Sequence, residues 1–126
     1  MTTMVHLTVW GPQAGSALAN EVGWQQQETV ARECVQHALA QHTPTLRAQS
    51  ICVAQDCRMR GGARCPGYVI TVVVSVSYEP TAPSAVCALE CQVESHVSVA
   101  LLELLTPIDV EQVEVVSAAS DSTISA

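Results

Sequence analysis

The 126-residue chain contains no phenylalanine and no lysine. Its aromatic side chains are Trp10, Trp24, Tyr68 and Tyr78, poor material for stacking bases or caging an aromatic ligand. The five arginines (32, 47, 58, 60 and 64) stop at position 64, and the eight acids that follow meet no base. Residues 65–126 therefore carry −8 and residues 1–64 carry +1, for a net charge of −7. Phosphate backbones repel such a chain unless one basic patch dominates, so nucleic acid is a poor partner. No apolar run reaches the roughly 20 residues of a membrane-crossing helix, so no membrane insertion is expected. The opening MTTMVHLTVW also lacks the basic n-region of a signal peptide. If Met1 is the native start, the protein is cytoplasmic and its six cysteines are thiols. If the chain is an excised domain, an extracellular home and disulfides come into play. P-loop, Gly-x-Ser-x-Gly and HExxH patterns are all missing, and no carboxylate pair has an obvious partner base. Neither an enzyme nor a cofactor is expected.

What the chain does have is apolar residues, at 48% of the total, enough to bury one core at this length without metal or disulfide staples. Val5, Leu7 and Val9 alternate with His6, Thr8 and Trp10, the period of a strand with one buried face. From Trp24 to His42, Val30, Ala31, Cys34, Val35, Ala38 and Leu39 repeat at helical spacing, and Glu28 can pair with Arg32 one turn on. Thr43-Pro44 closes this helix. A second strand is expected over residues 49–58, and a third over 67–78, where Tyr68, Ile70, Val72, Val74, Val76 and Tyr78 share a face. A long helix follows over 83–105 with a core stripe at Val86, Leu89, Val93, Val97, Ala100 and Leu104. Thr106-Pro107 ends it, and VEQVEVVS makes a last strand.

The order is β-α-β-β-α-β. A faint echo at an offset of 63 supports two similar halves: Leu7-Thr8-Val9 against Ile70-Thr71-Val72, and Thr43-Pro44 against Thr106-Pro107. Right-handed crossovers then select an α+β, ferredoxin-like split βαββαβ sandwich, a four-stranded antiparallel sheet with two helices on one face. Residues 1–117 are expected to form this single domain, and residues 118–126, of linker composition, a flexible tail or linker.

The stretch DCRMRGGARCPGY puts Arg58, Arg60 and Arg64 around Gly61-Gly62, a pair suited to the positive φ angles of a tight hairpin turn. Cys52, Cys57 and Cys65 lack the paired spacing of a zinc site. Cys57 and Cys65 could face each other across the hairpin and form a disulfide in an oxidising compartment. The arginines could instead grip an anion, a nucleotide or RNA. The RNA-recognition motif shares this architecture, but its base-stacking aromatics and signature motifs are missing.

With its third strand opening PGYVITVVVSVSY after a Gly-containing hairpin, and a long second helix, the chain resembles SEA-type domains, whose third strand begins Gly-Ser-Val-Val-Val. Some members cleave themselves at that Gly-Ser bond. Here Gly67 is followed by Tyr68, so the nucleophile is missing. The resemblance implies an interaction or adhesion module with a protein partner.

Three surfaces could serve such a role, one of them the hairpin with Arg58, Arg60 and Arg64. On the second helix, Cys87, Cys91, Leu102 and Leu105 fall on a flank about 100 to 150 degrees from the core stripe. On the open face of the sheet, Trp10, Cys52, Val69, Val73 and Val116 are more apolar than a solvated face requires, which suits a homodimer or scaffold contact. Cys34 and His37, one turn apart, could share a ligand but are expected as partly buried helix residues.

Overall fold

A computed structural model describes residues 3–14, 16–20, 23–42, 45–105 and 107–117. The tail assigned to 118–126 and the stops at Thr43-Pro44 and Thr106 lie outside them. Strand β1 spans Thr3–Pro12, helix α1 Trp24–His42, β2 Leu46–Arg60, β3 Ala63–Val76, α2 Pro83–Leu101 and β4 Asp109–Ser117, with a 3-10 turn at Ala17–Asn20. The four strands form one antiparallel sheet in the order β2-β3-β1-β4, the arrangement of a split βαββαβ sandwich.

Alternation along the strands decides which side is buried. Val5, Leu7 and Val9 of β1 and Ile70, Val72 and Val74 of β3 are all fully buried. They pair across the strands in register, Leu7 with Val72 and Val9 with Ile70, so their side chains form continuous rows on one face. Ala31, Val35 and Leu39 of α1 and Leu89, Val93 and Val97 of α2 join these rows in one core cluster. Each such Val or Leu contributes about 1.5–3 kcal/mol by leaving water.

The hairpin turns at Gly61-Gly62, with φ of 56° and 80°, the paired positive values of a two-residue turn that matches strand twist. Both of its strands extend further than their apolar alternation. β3 begins at Ala63, not Gly67; Gly67 lies inside the strand, between Asp56 of β2 and Pro12 of β1.

Helix α2 ends at Leu101, four residues before the expected stop. The Leu104 amide donates to the Leu101 carbonyl at 2.9 Å, a tighter i to i+3 bond that turns the chain inward. The loop after β1 fixes this turn, since the Ala17 amide and the Ser16 hydroxyl both donate to the Leu104 carbonyl, at 2.9 and 3.1 Å. Leu105, expected on the outward flank, is consequently fully buried, its Cβ so close to Gly11 that a Cβ added there would stand 2.8 Å away.

Glu28 also departs from expectation. Instead of meeting Arg32, its carboxylate accepts the Val53 N–H at 3.0 Å on β2, an edge strand of the sheet.

Candidate interaction surfaces around the arginine hairpin

The register of β2 and β3 assigns each hairpin residue to a side. Cys57 stands opposite Pro66, and Cys65 opposite Arg58. Directly paired residues share a face, so Cys57 and Cys65 point to opposite faces of the ribbon. Of the two readings, a disulfide in an oxidising compartment or two thiols, this geometry disfavours the first, and both are free cysteines, Cys57 exposed and Cys65 half-buried. The same register separates the arginines. Arg58 and Arg60 lie with Asp56 on the open side, whereas Arg64, opposite Met59, lies on the other.

On the open side the arginines are engaged. Arg58 forms a two-pronged pair with Glu111 of β4, Nε to Oε2 at 2.9 Å and Nη2 to Oε1 at 2.8 Å, and also meets Asp56. Arg60 pairs with Asp109 of β4. A bulge makes this possible: Thr8 pairs with Gln112 and Val9 with Val110, so Glu111 is the extra residue of β4. Hydrogen bonding to Arg58 holds the Asp56 and Glu111 carboxyls below the usual carboxylate range, and those bonds, Glu111's first, hold the Arg58 guanidinium above its own.

Trp10 completes the cluster. Expected as exposed surface, it is only 2% exposed. Its indole crosses β3 over Gly67 and donates from Nε1 to the Asp56 carbonyl at 2.9 Å. Arg60 covers the ring, its guanidinium carbon 4.9 Å from the centroid. A Cβ at position 67 would come within 2.4 Å of the ring and 2.3 Å of the Gly11 carbonyl oxygen, so the glycine makes room for the indole. Val69 and Val73 lie half-buried on the same face, as alternation requires.

This arrangement removes most of the anion site. Two of the three hairpin arginines already face carboxylates, and the third borders a shallow pocket of about 250 Å³ with Gln13, Gln55 and Pro66. The pattern Arg-x-Arg in β2 and Asp-x-Glu in β4, two residues apart in each strand, was a signal for the pairing. Only the topology shows that the two segments meet.

The outer side of α2 is different. Ser84, Cys87, Ala88, Cys91, Ser95, Val99 and Leu102 are all exposed, with Val99 at 64% and Leu102 at 41%. At 100° per residue they share the side opposite the core stripe, and none carries a charge. Glu90, Glu94 and His96 lie half-buried on its flanks. Cys87, Cys91 and Leu102 thus fall where the helical pattern puts them. Val99 was missed because spacing alone assigned it neither to the core stripe nor to the flank.

Between the helices, Cys34, His37, His96 and Glu103 border a groove of about 360 Å³. The Cys34 thiol donates to the Ala100 carbonyl at 3.1 Å and to Glu103 Oε2 at 3.5 Å. Burial first, then Glu103, push it from 9.0 up to about 11, so the thiol stays protonated at neutral pH. Among the described residues no three His, Cys, Asp or Glu side chains converge as a metal set. A larger groove, of about 500 Å³, lies between Leu39 of α1 and Leu46 of β2, away from both surfaces. No helix among the described residues is long and apolar enough to cross a membrane.

No family model matches the chain. No curated protein matches it. Among solved structures it is similar to the full extracellular region of zebrafish Gpr126/Adgrg6, at 10% identity over 90% of this chain and with a TM-score of 0.47. The chain spans 13% of that chain's length.

Proposed function

We propose that the chain is a non-enzymatic, SEA-like interaction or adhesion module that binds a protein partner through the outward side of α2. The observation that carries this reading is the uncharged exposed stripe with Cys87, Cys91, Val99 and Leu102, on a chain with net charge −7. Contiguous exposed apolar surface of this kind is where soluble domains meet partners. The alternative, anion or RNA binding by the hairpin, is weakened because Arg58 and Arg60 already face Glu111 and Asp109.

A second copy of the chain is the first partner to test. Sedimentation velocity over a concentration series should show association of the unsubstituted chain and none for the Val99→Glu/Leu102→Glu variant, both folded by circular dichroism. Association that survives both glutamates would exclude the stripe as the contact. A chain that stays monomeric throughout would exclude the homodimer form of the reading.

A further inference from the structure

The hairpin tip and the body of the sheet are attached by different means. The last strand pair involving β1 is Pro12 with Gly67, and the Gln13 amide adds one bond to the Pro66 carbonyl at 2.9 Å. Beyond that point residues 57–66 have only each other as strand neighbours, and two-stranded ribbons are marginal in water. None of residues 57–66 belongs to the core cluster, and Met59 is 67% exposed. Arg60 lies four residues beyond Asp56 along β2, yet it covers Trp10 and pairs with Asp109, the residue opposite Trp10 on β4. The ribbon therefore curls back across the open face. Among the described residues its side-chain ties to β4 are ionic, Arg58 to Glu111 and Arg60 to Asp109.

We propose that residues 57–66 form a strap latched by charge over Trp10, which an extended acidic segment opens by competing for Arg58 and Arg60. The chemistry of the competitor follows from what the arginines already hold: Asp109 and Glu111 are carboxylates two residues apart on a strand, and another strand with that spacing presents the same two groups. Both arginines are partly solvent-exposed, at 31% and 51% of their side-chain surface, so a competitor can reach them. Release leaves the indole resting on Gly67 with its upper face open, while the core behind the sheet is untouched. This device is separate from the α2 surface and does not depend on it.

Trp10 reports the state of the strap directly. In a Trp24→Phe variant it is the sole indole, and its quenching by acrylamide measures its exposure. Quenching is expected to be weak at low salt and to rise several-fold with sodium chloride, because ionic ties that reach solvent are screened. It should rise likewise with a synthetic alternating Asp-Val peptide and not with its Asn-Val counterpart, with far-UV circular dichroism unchanged. Adding Asp109→Asn/Glu111→Gln should give the open value from the start and remove both responses. Quenching that stays low in that folded variant, or that rises only as the dichroism is lost, overturns the latch. Equal responses to the two peptides overturn the acidic competitor. Should the double variant fail to fold, the salt and peptide titrations of the Trp24→Phe protein decide alone.

Discussion

Strands β2 and β3 are each two different objects. Toward Leu46 and Val76 they are part of a sheet whose inner face is closed by two helices, and Ile51, Val53, Ile70, Val72 and Val74 are buried there. Toward Gly61 they form a polar ribbon attached by arginine–carboxylate pairs and one arginine–indole contact. The same β2–β3 ladder runs through both, although only the body also pairs β3 with β1. The difference lies in what leaves water: apolar area in the body, little but charge in the ribbon. Hydrophobic burial is not screened by salt, whereas exposed ion pairs are weak and screened. The fold should therefore have a resistant body and a responsive arm.

The largest expected effect comes from breaking the body. Leu7→Ala, at a fully buried position, should cost about 2–5 kcal/mol in urea unfolding, with unfolding still a single transition. A value within error of zero would mean that the inner rows do not hold the sheet. Next is the junction between the two regions. Gly67→Ala puts a Cβ into the indole and the Gly11 carbonyl, and overpacking of this kind costs about 1–3 kcal/mol. Pairing it with Trp10→Ala should recover part of the loss, as a double-mutant cycle would read out. Smallest is the arm itself: Arg60→Ala should cost no more than about 1 kcal/mol, since it removes one exposed pair and one cation–π contact.

Proton titration sharpens the contrast from both ends of the pH scale. Asp56 and Glu111 have folded-state values held down by Arg58, so their contribution is present above the ordinary carboxylate range and is lost as pH falls through those lowered values. Acid should loosen residues 57–66 first, seen as faster amide hydrogen exchange there than in residues 67–76. Cys34 behaves in the opposite sense. Its folded value is raised, so its contribution is complete below pH 9.0 and declines toward about 11 as the unfolded chain loses its thiol proton first. In timed thiol labelling at neutral pH, exposed Cys87 and Cys91 should react well before Cys34. Equal rates would mean that the Ala100 and Glu103 contacts do not protect it.

The body was readable from the chain, but of the arm only its turn at Gly61-Gly62 was, for one physical reason. Periodicity reports burial, and Val5-Leu7-Val9, the Tyr68 to Val76 run and the Trp24–His42 helix are periodic because one side of each is buried. The ribbon DCRMRGGARC buries no apolar side, so its pairing beyond Gly67 left no periodic trace. Trp10 was assigned to the correct face but with the wrong exposure, because its cover comes from Arg60, fifty positions away. Leu105 was misplaced because helical spacing was continued past Leu101, where the contact of the Ser16 loop with the Leu104 carbonyl turns the chain inward. The outward stripe of α2 was largely visible because it needs no partner within the chain to define it.

The Glu28 carboxylate on the Val53 amide bears on how the molecule meets its own kind. A fifteen-residue strand at the rim of a sheet is an invitation to further strands, since its outer amides can template another chain. One carboxylate from the neighbouring helix occupies an amide in the middle of that row and places a negative charge where an incoming strand would have to lie. Assembly by strand addition is discouraged at that point. Glu28→Ala would turn a discrete domain toward fibre formation, a change visible as thioflavin binding on prolonged incubation.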